Sequence, residues 1–78
     1  MLHLPNTGYR VFHVQLYNSQ VRSLLTKKQR HSYFDRHWAE PQLRDVVARD
    51  ESEAWSLIVE RFPPEEGFVV EQITASPL

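Results

Sequence analysis

The chain contains no cysteine, only two glycines and no long apolar run. The lack of cysteine excludes a disulfide partner, a thiolate metal site and a cysteine nucleophile. No apolar stretch approaches the roughly 20 residues of a membrane-spanning helix, and the N-terminal residues lack the charged and apolar regions of a signal peptide. The two glycines are far apart, which excludes a glycine-rich phosphate-binding loop. We therefore expect a cytoplasmic protein without a membrane partner.

The length and composition are those of one small folded domain. The 78 residues are 41% hydrophobic and 24% charged, which excludes collagen-like, coiled-coil and fully disordered chains. A chain of this size buries only about 60% of its unfolded surface. We expect a single domain over residues 1–78, with a loose leader at 1–8, a folded core at 9–74 and a tail at 75–78.

The net charge of −1 hides an asymmetry between the two halves of the chain. Residues 1–38 carry six lysine or arginine side chains and one acid, whereas residues 39–78 carry three arginines and nine acids. Two interpretations are open. The halves neutralise each other inside the domain, or the basic half forms a docking face for a polyanion.

Residues 9–17 alternate between two faces and are rich in β-branched and aromatic side chains, which predicts a β-strand. One face carries Phe12, Val14 and Leu16, and the other carries Val11, His13, Gln15 and Tyr17. Two continuations are open after Asn18-Ser19. A helix places three apolar side chains on one stripe (Val21, Leu24 and Leu25), whereas a tight hairpin would return as a strand. The helix is favoured because its apolar spacing fits and no glycine is present for the hairpin turn.

The apolar spacing then fails, which predicts a break after this helix. Ser32 and Asp35 form a capping-box pattern that would begin a short helix, with Phe34 and Trp38 on one face. Pro41 requires this helix to end by about residue 39, because proline cannot donate an amide and holds the preceding residue extended.

A second strand and the longest helix follow. Residues 43–49 predict the strand, and Asp50 with Glu53 forms another capping-box pattern at the start of the helix. Pro63-Pro64 ends that helix. Its apolar residues cover all but a narrow polar stripe, so we expect it to pack over much of its circumference.

The last strand spans residues 68–74 and completes a strand, helix, short helix, strand, helix, strand order. This order predicts a small α/β or α+β domain with a three-stranded sheet covered by helices on one face. The segment from Leu43 to Ile73 has the size of a βαβ unit, so its strands are expected to run parallel with a right-handed crossover. The hairpin alternative would instead give a ββαβ fold. Trp55 and Phe68 are assigned to the core.

No reactive constellation is apparent. His31 and Asp35 have the i, i+4 spacing that chelates a divalent ion on a helix, but His37 points elsewhere and no further ligand is aligned. No serine lies in a nucleophile motif. We therefore assign no catalytic residue, no metal site and no cofactor, and expect that the protein is not an enzyme.

The segment from Lys27 to Trp38 interleaves positive charges with aromatic rings. Phosphate neutralisation and base stacking need these residue types together. The candidate polyanion-binding residues are Lys27, Lys28, Arg30, Tyr33, Arg36 and Trp38. The structural alternative is that Phe34 and Trp38 fill the edge of the sheet while the charges are solvated.

A three-stranded sheet covered on one face leaves the apolar groups of its other face in water unless something docks there. Val11, His13 and Tyr17 fall on that face and are the candidate self-association residues. The sequence thus favours a non-catalytic domain that docks a protein partner and forms a homodimer. Nucleic-acid binding through residues 27–38 is the alternative.

Overall fold

Three antiparallel strands form the sheet of the computed structural model, which describes residues 8–77. The strands are β1 (Arg10–Asn18), β2 (Gln42–Ala48) and β3 (Phe68–Ala75). The helices are α1 (Ser19–Thr26) and α2 (Glu51–Arg61), with short 3-10 helices at Arg36–Ala39 and Pro64–Glu66. The predicted order of elements is confirmed, and the fold is α+β.

The strand pairing differs from the predicted βαβ unit. β2 and β3 run in the same direction, but β1 lies between them and pairs antiparallel with both. As the central strand, β1 has both of its edges paired, and its inner side chains Phe12, Val14 and Leu16 are all buried. α2 therefore connects two edge strands instead of two neighbours.

The helix after β1 is confirmed, and the hairpin alternative with its ββαβ fold is wrong. Asn18 is the N-cap, and its Oδ1 accepts the amide N–H groups of Gln20 and Val21 at 2.9 and 3.0 Å. α1 ends in a Schellman motif, in which the amide of Lys28 donates to Leu25 and that of Gln29 donates to Leu24. Lys28 has a φ of 59°, the left-handed conformation that this motif requires.

The short helix ends where it was predicted to end but begins later. Asp35, and not Ser32, is the N-cap of Arg36–Ala39, and its carboxylate accepts the amide of His37. The preceding amides, those of Tyr33 and Phe34, donate to Nδ1 of His31 at 3.0 and 3.1 Å. The imidazole therefore holds residues 32–34 in a bend, which postpones the helix by one turn.

The core lies between the inner face of the sheet and the helices. Its larger cluster contains Val14, Leu16, Val21, Trp38, Ile58 and Phe68, and a smaller one contains Phe12, Ala48 and Ala54. Aromatic rings close one end, since Trp38 lies 5.1 Å from Phe68 and Phe34 lies 5.0 Å from Phe68 between centroids. Phe68 is thus in the core, as predicted.

The prediction that α2 packs over much of its circumference is wrong. Ala54 and Ile58 are its buried residues, one turn apart on the stripe that faces the sheet. Trp55 is 47% exposed and Leu57 is also exposed. No second layer packs on the outer side of this helix in the part of the chain that the structure describes, so Trp55 is not a core residue.

Most of the expected leader, including His3, falls outside the described residues. The tail expected at 75–78 is ordered at its start, because Ala75 belongs to β3 and the amide of Ser76 donates to the carbonyl oxygen of Val11 at 2.8 Å. Among residues 8–77, no helix has the length and apolar character needed to span a bilayer.

Candidate interaction surface

The outer face of the sheet carries no helix within residues 8–77, because α1 and α2 both bury their apolar residues on the inner face. Val11, His13 and Tyr17 lie on the outer face, as predicted. The strand register places Val47 beside Val11 and Val69 beside Tyr17. The apolar groups of this face therefore form two separate patches, one towards each end of β1.

Polar pairs occupy the middle of the outer face. Nδ1 of His13 lies 2.8 Å from Oδ1 of Asp45, and Nε2 of Gln15 donates to Oε1 of Glu71 at 3.0 Å. These pairs cross from β1 to each edge strand. His13 is thus exposed but already engaged, and the face is not a continuous apolar surface.

Tyr17 is covered by α1. The guanidinium carbon of Arg22 lies 3.6 Å above the centroid of the Tyr17 ring, and Nε of Arg22 donates to the carbonyl oxygen of Ala39 at 2.8 Å. One side of the ring is therefore occupied by a cation–π contact. Of the three predicted self-association residues, Val11 is the one with neither a polar nor a cation–π partner among these contacts.

β2 carries two exposed apolar side chains on the outer face. Leu43 is 67% exposed and Val47 is 49% exposed, and Leu57 of α2, which is also exposed, lines a groove together with Val47. A groove of about 490 Å³ runs between β2 and α2. Its lining residues are Arg44, Asp45, Val46, Val47, Leu57, Ile58, Glu60 and Arg61.

The two edge strands differ in regularity. β3 contains a bulge, because the register with β1 shifts at Gln15/Leu16 and leaves Glu71 without a paired residue. β2 pairs with β1 without a shift over all seven of its residues. Bulges disturb the row of backbone donors and acceptors that another strand needs. The free edge of β2 is therefore the one suited to pairing with a further strand.

The charge asymmetry is not neutralised by direct ion pairs. Apart from His13 with Asp45, no side chain of residues 8–38 forms an ion pair with residues 39–77. The remaining pairs are local, His37 with Asp35 and Arg49 with Glu53. Direct pairing between the halves thus fails to account for the asymmetry.

The candidate polyanion-binding residues divide into two groups. Lys27, Lys28, Arg30 and Arg36 are exposed, and Tyr33 is 82% exposed. Trp38 is buried, with Phe62 and Phe68 against its ring and the guanidinium carbon of Arg44 at 4.9 Å from its centroid. Trp38 therefore offers no free face for a base and is a core residue, as the structural alternative proposed for it.

The histidine and aspartate residues around this segment do not form a metal site. Because residues 27–35 are not helical, His31 and Asp35 are not held one turn apart; Nε2 of His31 instead lies 3.2 Å from Oε1 of Gln20. Nδ1 of His37 lies 2.7 Å from Oδ2 of Asp35, and this hydrogen bond lowers the pKa of the Asp35 carboxyl. Between Gly8 and Pro77 no group of three or more potential ligands is placed to hold a metal ion.

The second capping box is present in a modified form. Oδ1 of Asp50 accepts the amide of Glu53 at 2.8 Å, while Oε1 of Glu53 accepts the amide of Arg49 at 2.6 Å, one residue earlier than the usual partner. This backbone hydrogen bond and the Arg49 guanidinium lower the pKa of Glu53, and the same contact raises the pKa of Arg49. The carboxylates of Asp50 and Glu53 thus accept backbone amides at the start of α2.

Sequence reasoning missed Leu43, Val47 and Leu57. The alternation in residues 43–47 places the first two on one side of a strand, but the pattern does not reveal that this strand lies at an edge. Comparisons with protein-family models, curated proteins and solved structures found no match.

Proposed function

We propose that this protein is a small non-catalytic interaction domain that docks protein, in the first place a second copy of itself. The observation that carries this proposal is the regular edge strand β2, which bears two exposed apolar side chains, Leu43 and Val47, the second of them in a groove shared with the exposed Leu57 of α2. Val47 and Leu57 leave apolar surface exposed in one groove, as interaction sites do. A regular edge strand adds unpaired backbone groups that bind another strand.

The contacts of the ionisable side chains support a non-catalytic role. His31 and Asp35 accept backbone amides that begin turns and helices, and Asp50 and Glu53 do the same at α2. Each of these groups therefore has a structural partner. A catalytic acid or base instead needs access to a substrate proton.

Sedimentation equilibrium of the intact chain, from micromolar to millimolar concentration, tests this proposal. We expect the mass to rise from that of one chain to that of two. Val47→Lys places a charge in the groove between β2 and α2 and is expected to shift the transition to higher concentration. Ser56→Lys, which adds the same charge on the exposed side of α2, is the control. A chain that stays monomeric at millimolar concentration would refute the proposal.

A second candidate function is the binding of single-stranded nucleic acid through the segment 27–38. It is favoured by the exposed ring of Tyr33 beside lysine and arginine side chains that form no ion pair with the described acids. Cations and a free ring together neutralise phosphate and stack a base.

A mobility-shift titration with a single-stranded oligonucleotide at low salt tests this candidate. We expect the shift to weaken steeply as salt is added and to be reduced in Tyr33→Ala and in the double variant Lys27→Ala/Lys28→Ala. Arg10→Ala, which removes an exposed charge from the other end of β1, is the control. The absence of a shift at low salt rejects this function.

A further inference from the structure

We infer that the second copy binds through β2, so that two β2 strands pair antiparallel about a two-fold axis and join both sheets into one of six strands. The inference rests on the self-association proposed above and adds its geometry. A two-fold axis perpendicular to the sheet keeps the outer faces of both copies on the same side. It also brings the two grooves between β2 and α2 to the centre of the dimer.

The choice of β2 over β3 follows from the edges themselves. β3 carries the bulge at Glu71, whereas β2 continues without interruption from Gln42 to Ala48. Proline and lysine within a strand also protect an edge, and β2 contains neither. It does carry one charged residue on its inner face, Arg44, whose guanidinium lies over the Trp38 ring and donates to the carbonyl oxygen of Leu43. Pro41 stands immediately before β2, so pairing ends there. β2 thus offers a seven-residue ladder without a bulge, a proline or a lysine.

The choice of a second copy as the occupant follows from the charges of the groove. Its walls carry two arginines and two acids, Arg44, Arg61, Asp45 and Glu60, together with apolar Val47 and Leu57. Neither arginine forms an ion pair in the described chain. A two-fold interface brings one patch against itself and therefore needs a patch with balanced charge. An all-acidic or all-basic partner would match only half of this surface.

The side chains of β2 select one register. Shifting one β2 strand by one residue along the other would place its outer side chains opposite inner ones. The competing registers therefore differ by two residues. Centring the pair on Asp45 places Leu43 opposite Val47 of the second copy, and does so twice. Centring it on Arg44 or on Val46 places an apolar side chain opposite Asp45 instead. The register centred on Asp45 thus matches the exposed apolar residues, although it also places the two Asp45 carboxylates opposite each other, which opposes the pairing.

Disulfide trapping tests this register, because the chain has no cysteine of its own. Residues directly opposite in an antiparallel pair have Cα atoms about 4.5–5.5 Å apart, which is within the range of a disulfide. We expect Asp45→Cys to form a covalent dimer under mild oxidation roughly tenfold faster than Ser56→Cys on the exposed side of α2. Circular dichroism of each variant establishes that it is folded.

A mixed experiment tests the register independently of Asp45. Leu43→Cys and Val47→Cys are each expected to cross-link slowly alone, because identical positions are offset along the paired strands. An equimolar mixture of the two is expected to form the heterodimer quickly. Leu43→Cys cross-linking alone as fast as the mixture would overturn the register.

The outcomes separate this inference from the proposal on which it rests. Fast trapping at Asp45 together with the mixed pair supports β2 pairing. A chain that is dimeric by sedimentation but is not trapped at either position overturns β2 pairing and leaves self-association intact, with outer faces or another surface in contact. A chain that is monomeric throughout overturns both.

Discussion

The side-chain oxygen of Asn18 lies beside the position that a Cβ atom on Gly67 would occupy, at a distance of 2.7 Å. Asn18 is fully buried, and its Nδ2 donates to the carbonyl oxygen of Glu66 at 3.0 Å. The amide of Ser19 donates to the carbonyl oxygen of Gly67 at 2.7 Å. The junction of β1 with α1 is therefore fastened to the turn that precedes β3.

Gly67→Ala is expected to destabilise the fold for two reasons. Gly67 has a φ of 100°, where an alanine costs about 1–2 kcal/mol. The added Cβ also meets Asn18 and Gln20. Urea denaturation measures the loss, and Gly8→Ala is the matched control because its φ is 92° and nothing lies within 4 Å of its Cβ position. Equal losses for the two variants would show that the contact with Asn18 is unimportant.

Asn18→Asp is expected to lower the free energy of unfolding by roughly 1–3 kcal/mol, because it removes a buried hydrogen-bond donor. It keeps the oxygen that caps α1 but brings a carboxylate towards the carbonyl oxygen of Glu66. Asp50→Asn makes the reverse exchange at the exposed N-cap of α2, where both residue types cap equally well. Denaturation curves that coincide for wild type and Asn18→Asp would contradict this account.

Lys28→Gly is expected to stabilise the protein by about 0.5–1 kcal/mol, because it relieves the left-handed conformation at the end of α1. Lys27→Gly is the control, since the φ of Lys27 is −91° and a glycine there relieves nothing. Thermal unfolding of both variants measures the difference. An unchanged or lowered midpoint for Lys28→Gly would mean that the Schellman motif is not formed in solution.

The contact of Asp35 with His37 predicts a dependence of stability on pH. The hydrogen bond from His37 holds the pKa of Asp35 in the folded state below its ordinary value. The stabilisation is therefore complete above the ordinary pKa of aspartate and is lost as the pH falls through the lowered folded value. NMR titration of the Asp35 carboxyl is expected to show this low midpoint, and His37→Ala to raise it. An Asp35 midpoint that is the same in wild type and in His37→Ala would contradict the assignment of this shift to His37. His13→Ala is the control.

Asp45→Asn is expected to strengthen self-association about two- to fivefold, because the inferred two-fold axis brings two Asp45 carboxylates together and like charges directly opposite are destabilising. An asparagine oxygen still accepts a hydrogen bond from Nδ1 of His13. Sedimentation equilibrium measures the dissociation constant, with Glu51→Gln on α2 as a control for net charge. Weaker association of Asp45→Asn would contradict the inferred register.

Local patterns predicted the elements well because their physical causes are local. The alternation along β1 follows from its buried face, and the N-caps Asn18 and Asp50 bond amides two or three residues away. The start of the short 3-10 helix was not predictable in this way. The acceptor that holds the preceding bend is the imidazole of His31, which no capping pattern includes.

The order of the strands depends on competition between distant segments, which the sequence does not display directly. β1 pairs with both other strands, and this places β2 at an edge. The same order decided the candidate site, because it puts the exposed Leu43 and Val47 on an edge strand. Trp55 was misassigned for a related reason, since an amphipathic pattern does not say how many layers cover a helix.

The central position of β1 also sets an order of events during folding. β1 pairs with β3 from Phe12 with Ala75 to Asn18 with Phe68, which joins residues fifty or more positions apart in the chain. Pairings between such distant segments form slowly. While the chain is being synthesised, β1 and β2 can pair before β3 has been made. The edge of β1 that later binds β3 is then unpaired. Nascent chains of this protein are consequently most vulnerable to misassociation just before residues 68–75 leave the ribosome.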